Sequence, residues 1–248
     1  MKKLILFLFA AILLISFNAC NKSSVDFQTP QLSEYYPLEI GKYITYNLDS
    51  LIYTNFGTST ETHSYQVKYQ VDSQFIDNMN RPAFRIFRYI RSTPTGIWLP
   101  DNSFTAVNTG TSFEFVENNM RFIKLKQPVR DNYSWKGNSF IDTYSFNSQV
   151  KYLDDWDYIY DSVGAPLQVG SYALDKTITV NQRDEVIGNP DDPNSYLEIN
   201  YSQEKYAAGI GPVYRNFFHG EYQPPVPGLG GHYVDGSYGI KLIMIDHN

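Results

Sequence analysis

Tyr65, Val67, Tyr69 and Val71 alternate with Gln66, Lys68, Gln70 and Asp72 inside residues 64–76. A period of two predicts a strand with one buried and one wet face. Residues 43–53 read the same way, with Ile44, Tyr46 and Leu48 inward against Thr45, Asn47 and Asp49, and residues 83–91 form a third strand opened by Pro82 at an edge. Residues 111–116 and 121–126 flank Asn118-Asn119, and asparagine tolerates the positive φ of a tight turn, which predicts a hairpin. Further strands are expected over 157–161, 177–183, 196–201, 212–218 and 238–246, and a short helix fits 200–208. About ten strands with frequent turns predict an all-β, mainly antiparallel fold with little helix. Such a sheet must curl, close or double to hide its apolar face, as a half-barrel, a barrel or a sandwich.

One apolar run stands apart from this pattern. Residues 4–17 carry no charge and follow Met1-Lys2-Lys3. The run is short of the roughly 20 apolar residues that a membrane-spanning helix needs, and it predicts a signal peptide over 1–19. An ordinary export site wants a small residue where Phe17 stands. Ser16-Phe17-Asn18-Ala19-Cys20 instead resembles a lipobox, with Phe17 in place of the usual Leu and Asn18 in place of Ala or Ser. Cys20 is the only cysteine, which excludes disulfides and makes it the expected lipidation residue and membrane attachment. Residues 20–34 are polar with Pro30 and read as a lipidated flexible tether, whose fourteen residues after Cys20 reach roughly 20 Å. Residues 35–248 then form a single β domain. Lipoprotein sorting rules associate inner-membrane retention with aspartate after the cysteine. Asn21 stands there, and residues 22–25 carry no acidic run, so the expectation is an outer-membrane anchor facing the periplasm.

Composition narrows the partners. Loss of the two leader lysines leaves 18 basic against 26 acidic side chains, a formal charge of −8. Only Arg81, Arg85, Arg88 and Arg91 cluster, and on a strand Arg88 points away from the other three, so nucleic acid is not an expected partner. The chain has 21 Tyr, 16 Phe and 3 Trp, rings that favour strands and fill a core.

Tyr36-Pro37-Leu38 with Gly41-Lys42-Tyr43, Trp135-Lys136-Gly137-Asn138, Tyr206-Ala207 with Gly209-Ile210-Gly211-Pro212-Val213-Tyr214, and Gly239-Ile240-Lys241 with Asp246-His247-Asn248 span nearly the whole domain. This pattern resembles a group of uncharacterised Gram-negative envelope lipoproteins. The resemblance implies envelope location and β content and carries over no catalytic residue.

A search for chemistry leaves no catalytic residue to name. His63, His219, His232 and His247 form no His-x-x-x-His or Glu-flanked pair, so zinc spacing is missing. Ser237 lacks the glycine two residues earlier that a nucleophile elbow needs. Gly209-x-Gly211 and Gly228-x-Gly230-Gly231 lack a following Lys-Ser/Thr and read as turns. Asp154, Asp155 and Asp157 lack the spacing of a calcium loop. The expectation is therefore a non-enzymatic envelope protein with no cofactor and no metal, binding an apolar or amphipathic ligand or a partner. The alternatives are a carbohydrate-binding lipoprotein, for which Trp98, Trp135, Trp156, Tyr152, Tyr158 and Tyr160 would supply rings, and a structural or assembly factor of the envelope.

Overall fold

The computed structural model describes residues 29–248. After a one-turn helix α1 (Leu32–Tyr35) the chain is nearly all strand. The first half runs β1 (Tyr43–Thr54), β2 (Ser59–Ile76), β3 (Pro82–Arg91), β4 (Leu99–Asn108), β5 (Ser112–Glu117) and β6 (Met120–Lys126). The second half runs β7 (Ser134–Lys136), β8 (Asp157–Val169), β9 (Tyr172–Gly188), β10 (Leu197–Ala207), β11 (Gly211–Gln223), β12 (His232–Tyr233) and β13 (Tyr238–His247). All pairings are antiparallel, in the order β6-β5-β4-β3-β2-β1-β13-β11-β10-β9-β8-β7, with β12 appended to β11.

The two ends of this order approach each other, so the sheet forms a nearly closed twelve-strand barrel. Ile123 N–H on β6 donates to the Gly137 carbonyl just after β7 at 2.8 Å, and the Trp135 indole N–H donates to the Ile123 carbonyl at 2.7 Å. The Tyr160 hydroxyl fastens the same seam by donating to Lys126 O and accepting from Lys126 N. Closure leaves little strand edge unpaired, which is how such a sheet avoids presenting a template for aggregation.

The alternation read from the sequence sets the inside and the outside. Val67 is fully buried, and Ile44, Tyr46 and Leu48 point inward with it. Asn47, Asp49, Ser64 and Gln66 pair outside, Gln66 with Asn47 and Ser64 with Asp49. That stretch of the outer face is polar. Asn118 and Asn119 take φ of 50° and 61° in the β5–β6 turn, as predicted.

Two expectations are corrected. Residues 200–207 form strand and 208 a turn, not helix: β10 runs through the segment because its inward residues find partners inside the barrel. The folded region also starts before Tyr35. Leu32 and Tyr35 are buried at the barrel end where β1 begins, and Gly209 N–H donates to Glu34 O at 2.7 Å. Residues 30–34 of the expected tether thus plug one end, because one apolar side chain, Leu32, gives them something to bury. Among the described residues there are thirteen strands, close to the about ten expected. β4 escapes the pattern because Pro100, Asp101 and Asn102 open it, and β7 and β12 are too short to show a period.

Candidate functional site

β10 sends Tyr206, Glu204, Ser202 and Asn200 inward as alternate residues, all buried. Buried polar groups demand partners, and these come from strands far away in sequence. Lys124 on β6 places Nζ 2.7 Å from Glu204 Oε1, and the Tyr206 hydroxyl donates to the other Glu204 oxygen. Arg215 on β11 forms two N–H···O bonds of 3.0 Å with Glu117 on β5 and brings Nε within 3.6 Å of Glu204. Arg88 on β3 pairs with Asp101 on β4 and donates to the Tyr69 hydroxyl at 3.4 Å.

The ionisation states follow from this arrangement. Burial works to raise the Glu117 carboxyl, but Arg215 and Lys124 outweigh it and hold it down at about 2. Glu204 is lowered as well, burial being outweighed by Lys124 and Arg215. Burial opposes the charge of Arg215, yet Glu117 and Glu204 raise its pKa well above the usual value. Tyr206 is pushed up by burial and by Glu204, so its hydroxyl stays protonated and donates.

Beside these pairs lies a cavity of about 260 Å³. Tyr69, Phe104, Trp156, Tyr158 and Phe217 form apolar walls, while Lys124, Arg215, Gln182 and Ser202 face the same space. Ser202 donates its hydroxyl proton to Gln182 Oε1 at 2.5 Å. That leaves Gln182 Nε2 buried with no partner among the described residues. An unpaired buried donor costs about 1–3 kcal/mol, so Gln182 is an open demand for an acceptor.

At the end opposite α1, Tyr152 and Tyr238 line both the cavity and an outer groove of about 630 Å³. Their hydroxyls stand 3.5 Å apart. The Tyr152 ring stacks on His219 at 3.7 Å. Asn200 directs its amide N–H groups at Glu198 and Glu185, so its oxygen faces His219 Nδ1 at 2.7 Å and that nitrogen carries the proton. Burial lowers the pKa of His219, with Glu198 acting against it. The groove rim carries Glu198, Glu221 and Asp235 against Lys151.

The other residues singled out by sequence have structural roles. Cys20 and residues 1–19 lie outside the described residues. Trp135 and Trp156 are buried, and Trp98 lies half-buried under Arg91 at 4.2 Å, so the tryptophans form no exposed strip. Tyr158 and Tyr160 are core. Asp155 and Asp157 hold Lys136 at 2.7 and 2.9 Å, while Asp154 accepts from Thr143. Ser237 accepts from the Glu221 N–H. Gly209 takes positive φ in the β10–β11 turn, and Gly211, also with positive φ, opens β11. Of the arginine cluster only Arg88 turns inside. Glu117, Lys124, Gln182, Glu204 and Arg215 were not singled out by sequence. Their one signal there is the run Asn200, Ser202, Glu204, in which every second position of a strand is polar. No known protein family, curated protein or solved structure matches this chain.

Proposed function

We propose that this chain is a lipid-anchored, non-catalytic envelope protein that holds a small ligand with both apolar and polar surface inside its barrel. The observation carrying this reading is the 260 Å³ cavity walled by aromatic rings, with Gln182 in its lining and the Gln182 amide N–H groups unpartnered among the described residues. Enclosed cavities with a few convergent polar groups are the usual form of small-molecule sites. A purely apolar guest would leave Gln182 unsatisfied. A two-chain lipid is too large, since a cavity of roughly 150 Å³ is already filled by a benzene-sized molecule. Anchoring through Cys20 in the outer membrane, facing the periplasm, accords with the leader and with the chain entering the barrel beside α1. The groove end then points away from the membrane.

Native mass spectrometry on the full mature chain, extracted from its own envelope in mild detergent, tests this reading. The expected result is a small co-purifying mass released on denaturation. A bare mass, with no melting shift across fatty acids, phospholipids and glycans, would overturn it. The assembly-factor reading would then stand, supported by Phe56 and Phe146, each 95% exposed on loops at the groove end.

A further inference from the structure

We infer that the ligand is a neutral polyhydroxylated molecule about the size of one sugar ring; this rests on the barrel being a ligand binder and names the class it takes. Charge is the first argument. Arg215 is matched by Glu117, Lys124 by Glu204 and Arg88 by Asp101. Each of these cations already holds a carboxylate, so an anionic head group would compete with that partner for it. The groove rim, Glu198, Glu221 and Asp235 against the single Lys151, is net acidic and disfavours the approach of anions.

Hydrogen bonding is the second argument. A hydroxyl both donates and accepts. Gln182 Nε2 offers two N–H groups with no partner among the described residues. The Lys124 ammonium carries three hydrogens and spends one on Glu204. Each Glu117 oxygen accepts one bond from Arg215 and keeps a second lone pair. Donors and acceptors thus face one space, which suits a ring of hydroxyls and suits neither an alkyl chain nor a bare carboxylate. Trp156, Tyr158 and Phe217 supply flat apolar surface for the C–H face of such a ring. Sites built to bond hydroxyls are also selective, because a guest lacking them leaves buried polar groups unpaired.

Calorimetry and melting curves on the full mature chain would decide the class. The probes are glucose, galactose, mannose, arabinose and myo-inositol, with glucuronate, glucosamine and octanoate as charged and apolar comparators. At least one neutral polyol is expected to bind, with its charged analogue at least tenfold weaker. Gln182→Leu should weaken that polyol at least tenfold while keeping the cooperative melt. Binding of octanoate or glucuronate without any neutral polyol would overturn the ligand class and leave the barrel a ligand binder. Silence across every probe, with a bare native mass, would overturn both. An unchanged polyol affinity in folded Gln182→Leu would overturn the part given to Gln182, and the wild-type panel decides the class even where the variant fails to fold.

Discussion

Glu117 and Arg215, 98 residues apart in the chain, meet inside the barrel through two parallel N–H···O bonds of 3.0 Å. The pair ties β5 to β11 across the interior, between strands that do not neighbour each other in the sheet. Removing one partner of a buried pair leaves an uncompensated charge, at a cost of about 3–5 kcal/mol. Arg215→Met should therefore melt far below wild type, and Glu117→Leu with Arg215→Met should recover much of the loss. Chemical denaturation of the three variants checks it, and equal losses for the single and the double would contradict the pairing.

The same carboxylate makes the fold sensitive to acid. Glu117 titrates at about 2 when folded, against about 4.3 in an unfolded chain. A lowered folded pKa gives stability that is complete above the unfolded value and drains away as pH falls from about 4.5 towards 2. Stability measured over that window should fall steeply in wild type and less steeply in Glu117→Gln.

Gly137 sits where the barrel closes. A Cβ there would lie 2.4 Å from the buried Tyr158 ring, and the Gly137 carbonyl takes the Ile123 N–H. Gly137→Ala should destabilise by about 1–3 kcal/mol through overpacking. Amide exchange should show Ile123 losing protection first, and unchanged protection would remove the seam from the account.

Val67 is fully buried and Lys68 is half-exposed on the opposite face, over the Tyr89 and Trp98 rings. Burying a valine is worth about 1.5–3 kcal/mol. Val67→Asp should unfold or severely weaken the domain, with Lys68→Asp shifting the melt by no more than a few degrees. Similar shifts would refute the register.

Tyr152 and Tyr238 stand between the cavity and the groove. Tyr152→Ala should open that passage, speeding release of bound ligand several-fold with a smaller change in melting. Stopped-flow displacement measures it, and unchanged release would place the entrance elsewhere.

Cys20→Ala should abolish incorporation of labelled fatty acid and leave the chain at precursor length, since Phe17 bars the ordinary cut. Unchanged fatty-acid labelling, or a mature-length product, would contradict the lipid anchor.

Local chemistry made much of the barrel wall readable from sequence. In β2, and in β1 apart from the buried Thr45, a period of two shows which side chains face inward, because neighbouring residues on a strand face opposite ways. Asn118-Asn119 announced its turn because few other residues accept that backbone. The site was hidden for the same physical reason. Along Asn200, Ser202, Glu204 and Tyr206 the inward residues are mostly polar, so hydrophobic alternation fails and the segment mimics a helix. Whether those groups are satisfied depends on Lys124, Gln182 and Arg215, which only tertiary structure brings within reach. Sequence by itself determined the strand faces, the turn and the expectation of a curled antiparallel sheet. Closure of that sheet decided the rest, since only a closed wall creates an interior where charges far apart in sequence must pair.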